Sequence, residues 1–301
     1  MKLLVTGSNG LLGQKLISLS DSLQEISCVA TGKGLNRNPP GKYEYRQLDV
    51  TSQDEVSRVF KEINPDVVIN CAAMTDVDQC ETHKEACWAQ NVIAVEYLIA
   101  ICIDLKAFLI HLSTDFIFDG LSGPYDELAV AHPLSYYGQS KLASEDLLKS
   151  SPIKSAIART VLVYGVTNNI SKLNIILWVK NSLERGEKIQ VINDQWRTPT
   201  LAEDLAAGCM AIAQKRAEGI FNLSGKDLLT PHEMAIKTAQ FFNLDTSLIE
   251  EVDGSIFTQL AQRPARTGFI LDKAISELNY NPHSFDESMV FLRKQLLLRS
   301  F

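Results

Sequence analysis

At 301 residues, with a formal net charge of −7 and a pI near 5.3, the chain is long enough for one large core or two coupled ones. Its acidic balance argues against a general binder of nucleic acid or of an anionic membrane. No run of about 18 apolar residues occurs, so no membrane-spanning helix is expected, and the N-terminal MKLLVTGSNG does not read as a signal peptide, because glycine follows an apolar stretch only one strand long. The six cysteines, Cys28, Cys71, Cys80, Cys87, Cys102 and Cys209, form no C-x-x-C pair and are expected as reduced core residues of a cytoplasmic protein. Cys80, His83 and Cys87 can share a helical face, but three ligands without a fourth argue against zinc, and no metal is expected.

The residues 2–6, KLLVT, are an apolar run bounded by glycine and predict a buried strand. Gly7-Ser8-Asn9-Gly10-Leu11-Leu12-Gly13 follows and opens onto the helical spacing of Leu12, Leu16, Ile17 and Leu19. Strand, glycine turn and helix are the context that a dinucleotide-binding fingerprint requires. Gly7 allows the tight turn, Gly10 the approach of a pyrophosphate, and Gly13 the close packing of helix on strand. The helix N-terminus adds N–H groups and a positive dipole end for the phosphates. The spacing is G-x-x-G-x-x-G rather than G-x-G-x-x-G.

Residues 26–31 predict the second strand. Where NAD is the cofactor, a carboxylate usually ends this strand; here Gly32-Lys33-Gly34 stands there, with Arg37 beyond. Lys33 in that place suits a 2′-phosphate, so NADP(H) is expected ahead of NAD(H), with a solvated basic loop as the other reading. Residues 43–48 predict the third strand. Asp49, followed by Val50, can meet an adenine amino group or cap a helix over 52–63, a role for which Thr51 and Ser52 compete.

Residues 66–70, DVVIN, form the near-continuous apolar strand expected inside a parallel sheet. Cys71, Ala72 and Ala73 are small residues at its end, where a cofactor would cross. Residues 86–105 predict one long helix with Val92, Val95, Ile99 and Cys102 as its apolar stripe. Asn91 within it is a poor helix former, either structural or bonded to backbone near an active site. Residues 107–112 predict the fifth strand, with Ser113-Thr114-Asp115 at the edge where ligands bind in such sheets. Thr114 can donate to a substrate carbonyl; Asp115 can face the substrate or cap a turn.

Residues 133–148, PLSYYGQSKLASEDLL, predict the helix on which the chemistry is organised. Tyr137 and Lys141 stand at i and i+4, on one face and one turn apart. The Lys141 charge is expected to lower the phenol from its ordinary value near ~10, giving a hydroxyl that passes a proton at neutral pH. Taken alone, Y-x-x-x-K is weak evidence and reads first as an amphipathic tyrosine beside a solvated lysine; the motifs that accompany it raise the functional reading.

Residues 154–159 and 161–164 predict a further strand region, closed by Gly165. The alternation to this point predicts an α/β fold with a doubly wound parallel sheet. Beyond it the rhythm loosens: a helix over 173–185, a strand over 188–192, the loop from Asp194 to Thr200, a helix over 202–215, a strand over 219–223, and helices over 231–242 and 286–298. Arg263-Pro264-Ala265-Arg266 precedes the last part. The expected organisation is an NADP(H)-binding Rossmann domain over 1–165 and a smaller C-terminal substrate-binding lobe over 166–301, parts of 188–223 returning to the main sheet.

Four segments, VTGSNGLLG, NCAA, STDFIFDG and YYGQSK, together resemble the extended short-chain dehydrogenase/reductase superfamily. The nearer resemblance is to the dTDP-4-dehydrorhamnose reductases, through Ser113–Gly120, Tyr137–Lys141, Arg159–Gly165 and Asp194–Thr200. It implies Thr114, Tyr137 and Lys141 as the catalytic set. It implies Gly7, Asn9, Gly10, Leu11, Gly13, Asp49, Val50, Ala72, Ala73 and Thr75 as cofactor contacts, with Tyr137 and Lys141 near the nicotinamide; Lys33 and Cys71 join them from the reading above. Thr114, Asp115, Tyr137 and Arg197 are the expected substrate contacts.

The implied activity is NADPH-dependent reduction of a nucleotide-linked 4-keto sugar, in a protein without nucleic-acid or membrane partners and with a homodimer left open. Two departures fall where substrate would be read. Val161-Leu162-Val163-Tyr164-Gly165 stands where the family has S-W-V-Y-G, and Trp196-Arg197-Thr198 displaces the glycine of D-Q-x-G-x-P-T. Dehydratases of the superfamily place an Asp-Glu pair after the threonine; here Asp115 is followed by Phe116, which carries no proton. An epimerase stays open, as does a non-catalytic NADP-binding regulatory subunit resembling the methionine adenosyltransferase β subunit. No acidic motif for magnesium is present.

Overall fold

The computed structural model describes residues 1–167, 174–257 and 259–297. In chain order its strands are β1 (Lys2–Thr6), β2 (Ser27–Gly32), β3 (Tyr43–Gln47), β4 (Val67–Asn70), β5 (Phe108–Thr114), β6 (Ser155–Thr160), β7 (Val163–Tyr164), β8 (Ile189–Ile192), β9 (Thr200–Leu201), β10 (Gly219–Asn222) and β11 (Ile249–Val252). The α-helices are α1 (Leu11–Asp21), α2 (Gln53–Ile63), α3 (Val77–Thr82), α4 (Lys84–Trp88), α5 (Ala94–Leu105), α6 (Tyr136–Ser150), α7 (Ile175–Glu184), α8 (Ala202–Lys215), α9 (Pro231–Phe242), α10 (Asp272–Leu278) and α11 (Phe285–Leu297). The predicted ends at Leu173 and Leu298 lie outside the described residues.

Seven strands make the main sheet in the order β10-β6-β5-β4-β1-β2-β3, every neighbouring pair parallel. The fold is the α/β, doubly wound architecture expected, and the physical reason is visible in the strands. Side chains alternate between the faces, and both faces are covered. Leu3, Val5, Ile69 and Ile110 pack with Leu16 of α1 and Leu205 of α8. Leu4, Val68 and Leu109 pack with Phe60 of α2 and Leu98 of α5 on the other side. Strands buried on both faces carry near-continuous apolar runs, and each such side chain contributes about 1.5–3 kcal/mol. Strand order reverses between β1 and β4, and ligands bind at the carboxyl ends of strands at such a reversal.

Four features differ from expectation. The strand region over 154–164 is two strands in different sheets: β6 belongs to the main sheet, while β7 pairs with β9. Leu162 between them has φ +36° and turns the chain outward, a bend fixed by Thr200 donating its hydroxyl to Val161 O at 2.6 Å and its N–H to Leu162 O at 3.2 Å. The long helix starts at Lys84, and Ala89–Ile93 within it is a π-turn. Strand β11, paired with β8, and helices α3 and α10 were not expected at all. The helical stretch Lys84–Leu105, 22 residues containing an 18-residue window with a mean hydropathy of 1.6, is long and apolar enough to cross a membrane, which corrects the expectation that no segment would be. Half of that window is buried inside the protein, where Val95, Leu98 and Cys102 pack in the second core.

Candidate active site

One wall of the site is the glycine turn after β1. Gly7 has φ +62°, and a Cβ there would stand 2.7 Å from Ala72 N. A Cβ on Gly13 would stand 2.5 Å from Ser8 Cα and 2.6 Å from Gly7 O, so only glycine lets α1 seat against the turn. On Gly10 a Cβ would meet only Gly7 O, at 3.2 Å, which leaves that side open for a ligand. Gly10 is the N-cap of α1 and gives it no side-chain cap, so the first-turn N–H groups face the cleft unblocked by a side chain. Gly13→Ala is expected to destabilise the protein by about 1–3 kcal/mol and to abolish nicotinamide-cofactor binding. Thermal unfolding with cofactor titration checks this, and an unchanged affinity contradicts the assigned close approach.

The opposite wall is built by the end of β5 and the start of α6. Ser135 caps α6 by accepting from Gly138 N at 3.2 Å, and Glu81 accepts from Tyr136 N at 2.7 Å. A Cβ on Gly138 would collide with Phe116 O; its absence lets α6 approach the turn Asp115–Ile117 and sets Tyr137 beside Thr114. Further along α6, Arg159 of β6 holds Glu145 with two hydrogen bonds, Nε–Oε1 at 2.9 Å and Nη2–Oε2 at 2.7 Å. The pair is fully buried and fastens the helix to the sheet.

Tyr137 and Lys141 line the same cleft and are both buried, but their electrostatics correct the sequence reading. Burial pushes the Tyr137 phenol above its ordinary value, Thr114 counters this through a hydrogen bond, and the Asp115 charge adds to the rise. The expected depression by Lys141 is not found, because the ammonium is directed elsewhere: Nζ donates to Leu112 O at 2.6 Å and lies 3.0 Å from His111 Nε2. Burial brings Lys141 itself down to about 8, against the opposing charge of Glu145. Behind Tyr137, Asn91 accepts from Met74 N at 2.8 Å and donates to Met74 O at 3.0 Å and Ser140 Oγ at 3.0 Å. Asn91 thus binds backbone beside the site, and the π-turn aims it there.

Asp115 is buried at the base of the cleft and is engaged from three sides. Thr114 Oγ1 donates to it at 3.2 Å, Thr267 donates a short hydrogen bond, and Arg197 Nε stands 3.8 Å away. Burial raises the Asp115 carboxyl, against the Arg197 charge. Thr114, rather than Asp115, caps the following turn through Phe116 N. Arg197 also lines the cleft, but its guanidinium donates to Trp196 O, Ala265 O, Gln195 Oε1 and Pro264 O. It ties two loops together before it can serve a substrate.

The cleft measures about 600 Å³, and around it meet Gly7, Gly10, Leu11, Gly13, Cys71, Ala73, Thr75, Thr114, Asp115, Tyr137, Lys141 and Arg197. Five expected contacts stand outside its lining. Asn9 pins the loop after β2, donating to Leu35 O at 3.0 Å and accepting from Arg37 N at 2.8 Å. Lys33 and Asp49 pair with each other at 2.7 Å. Although burial favours the neutral acid, Lys33 and Thr51 hold the Asp49 carboxyl below its usual range. Val50 is buried in the second core. Ala72 lies directly behind Gly7. Among the described residues no three metal-ligating side chains converge; His83 instead contacts Thr82 Oγ1 at 2.8 Å.

The RmlD substrate binding domain family matches residues 1–296. The chain belongs to this family. Like other members it falls within the extended short-chain dehydrogenase/reductases. The chain is 31% identical, over 96% of both chains, to the probable low-salt glycan biosynthesis reductase Agl14 of Haloferax volcanii. It is 30% identical to the methionine adenosyltransferase 2 subunit beta of Bos taurus, over 87% of this chain and 78% of that one. The dTDP-4-dehydrorhamnose reductase of Bacillus anthracis, solved in complex with NADP, superposes with a TM-score of 0.84 at 26% identity, over 98% of this chain and 99% of that one.

Within this RmlD-family cleft several lining residues escaped the sequence reading. Leu162, in the segment that departs from the family pattern, projects into it beside Val163 and Ile175. Arg263 reaches it from the far end of the chain, held by Asp78 at 2.7 Å. Its only sequence signal was the isolated R-P-A-R, which carries no spacing to the earlier motifs.

Proposed function

We propose that the chain reduces a nucleotide-linked 4-keto sugar with a nicotinamide cofactor, NADP(H) ahead of NAD(H), and that dTDP-4-dehydrorhamnose is the first substrate to test. The observation that supports this most is the meeting of Thr114, Tyr137 and Lys141 with Gly7, Gly10 and Gly13 around one cleft. The turn fits a dinucleotide because a side chain at Gly7 or Gly13 would strike backbone, while the helix start behind Gly10 faces phosphate. Cys71, Ala73 and Thr75 would hold the cofactor beyond the end of β4, with Ala72 behind Gly7, and Lys33 and the exposed Arg37 would receive a 2′-phosphate. When bound, the cofactor supplies hydride to the carbonyl carbon.

The chain's own residues do the rest. Thr114 Oγ1 orients the carbonyl oxygen. Tyr137 Oη, protonated at neutral pH because burial raises it, gives its proton to that oxygen as general acid. Lys141, one turn on in the same cleft, donates to Leu112 O and would bond the nicotinamide ribose rather than the phenol. Phe116 cannot hold a proton, so the paired acid and base needed for water loss are lacking. The Leu162 departure lines the cleft while Trp196 does not, and the identity of the sugar is the least constrained part of the reading.

A second reading is favoured by the 30% identity to a methionine adenosyltransferase 2 subunit beta: a cofactor-binding regulatory subunit. Incubating the protein with a panel of keto-sugar nucleotides and NADPH or NADH, and following absorbance of the reduced nicotinamide, separates the two. Oxidation of NADPH with tighter binding than NADH is expected. No oxidation with any sugar, together with stoichiometric recovery of a larger enzyme, would establish the regulatory reading; equal cofactor affinities would remove the NADP preference.

A further inference from the structure

Beneath the cleft runs a line of buried polar groups that no step above uses: Thr6, Asn70, His111 and Ser144, each at most 2% exposed. Their proton directions follow from groups that act in one sense only. The backbone N–H of Ala72 donates to Asn70 Oδ1 at 3.3 Å, and the Thr6 hydroxyl donates to the same oxygen at 2.5 Å. The Asn70 amide nitrogen therefore faces His111 Nδ1, at 3.1 Å, and Nδ1 must accept. On the other side of the ring, the Ser144 hydroxyl donates to Lys141 O at 2.7 Å, so toward His111 Nε2, 3.0 Å away, it accepts. Burial and the Lys141 charge keep His111 neutral, and a neutral imidazole with a bare Nδ1 carries its proton on Nε2.

We propose that His111 is a positioning residue for Lys141, held by this one-directional chain as its Nε2–H tautomer with that proton given to Ser144 Oγ, so that Nε2 offers no lone pair to accept from Lys141 Nζ. His111 Nε2 and Leu112 O are the two partners of Lys141 Nζ, at 3.0 and 2.6 Å. An ammonium denied that acceptor is disfavoured, in the same sense as burial. The other titratable groups that face Lys141 are Glu145 one turn along α6, Cys87 on α4, Cys71 after β4 and Tyr137; the first three favour the ammonium. The Arg159 guanidinium is spent on Glu145.

The consequence for turnover rests on the reductase reading; the tautomer does not. Nitrogen NMR of the full chain labelled with ¹⁵N-histidine is expected to show His111 protonated on Nε2; protonation on Nδ1 overturns the proposal whatever the protein catalyses. Asn70→Asp presents only acceptors to Nδ1, so the proton should move to Nδ1 and free Nε2 to accept from Lys141. The alkaline limb of NADPH oxidation should then rise by about one pH unit or more. A tautomer unmoved in that variant, or a limb unmoved while the tautomer reverses, contradicts the assigned coupling. The spectrum of the unaltered chain decides the tautomer whether or not that variant folds. Absence of turnover with every sugar defeats the reductase reading alone.

Discussion

Replacing Tyr137 with phenylalanine is expected to lower kcat by about 10²–10⁴-fold and to leave cofactor affinity nearly unchanged. Phenylalanine keeps the ring against Phe116, which it meets edge-on at 5.8 Å between centroids, and keeps its place against Cys80 and Cys87. What is lost is the phenol hydroxyl beside Thr114, the proposed proton donor. Because burial raises that phenol, the role proposed for it is that of an acid, and the substitution should slow reduction without creating a new pH dependence in cofactor binding. Steady-state kinetics beside a cofactor titration checks this, and turnover at the unaltered rate would refute the assignment of Tyr137.

Arg159→Ala is the substitution expected to cost most stability. It strands the Glu145 carboxylate, whose side chain has 0% exposure, and removing one partner of a buried pair typically costs about 3–5 kcal/mol. Lys149, 3.3 Å from Glu145 Oε2 but 40% exposed, offsets only part of this. The sign with pH follows. Burial raises the Glu145 carboxyl, but the Arg159 hydrogen bonds and charge outweigh it and bring the carboxyl below its ordinary value. In the unaltered protein this pair adds stability at neutral pH that is lost as pH falls through that lowered value. Without Arg159, burial dominates, the carboxyl rises, and the deficit should narrow as the solution is acidified. Urea midpoints at neutral and mildly acidic pH measure both effects; a deficit below about 1 kcal/mol, or one that widens with acid, would show that the pair is not what clamps α6.

Much of this architecture is legible in the sequence, for reasons particular to certain segments. KLLVT and DVVIN read as strands because both sheet faces are covered and the runs are nearly all apolar. The glycine turn and the Tyr137–Lys141 pair read because their spacing is local. What could not be read depends on distance or on a single residue. Leu162 in a left-handed conformation sends β7 into another sheet, and no propensity marks a leucine for that. Thr267 and Arg263 reach the cleft across more than a hundred residues of chain. The Lys33–Asp49 pair joins two residues that local reading had assigned to separate parts of the cofactor. That the Tyr137 phenol is raised rather than lowered is not legible either, because helix periodicity places Lys141 on the right face but says nothing about where its nitrogen points.

Strand β10, at residues 219–222, completes the main sheet beside β6, and α8 lies against α1. A chain emerging from the ribosome must therefore expose more than two hundred residues before its sheet can close. Until then the hydrogen-bonding margin of β6 is bare, a ready partner for any other extended segment.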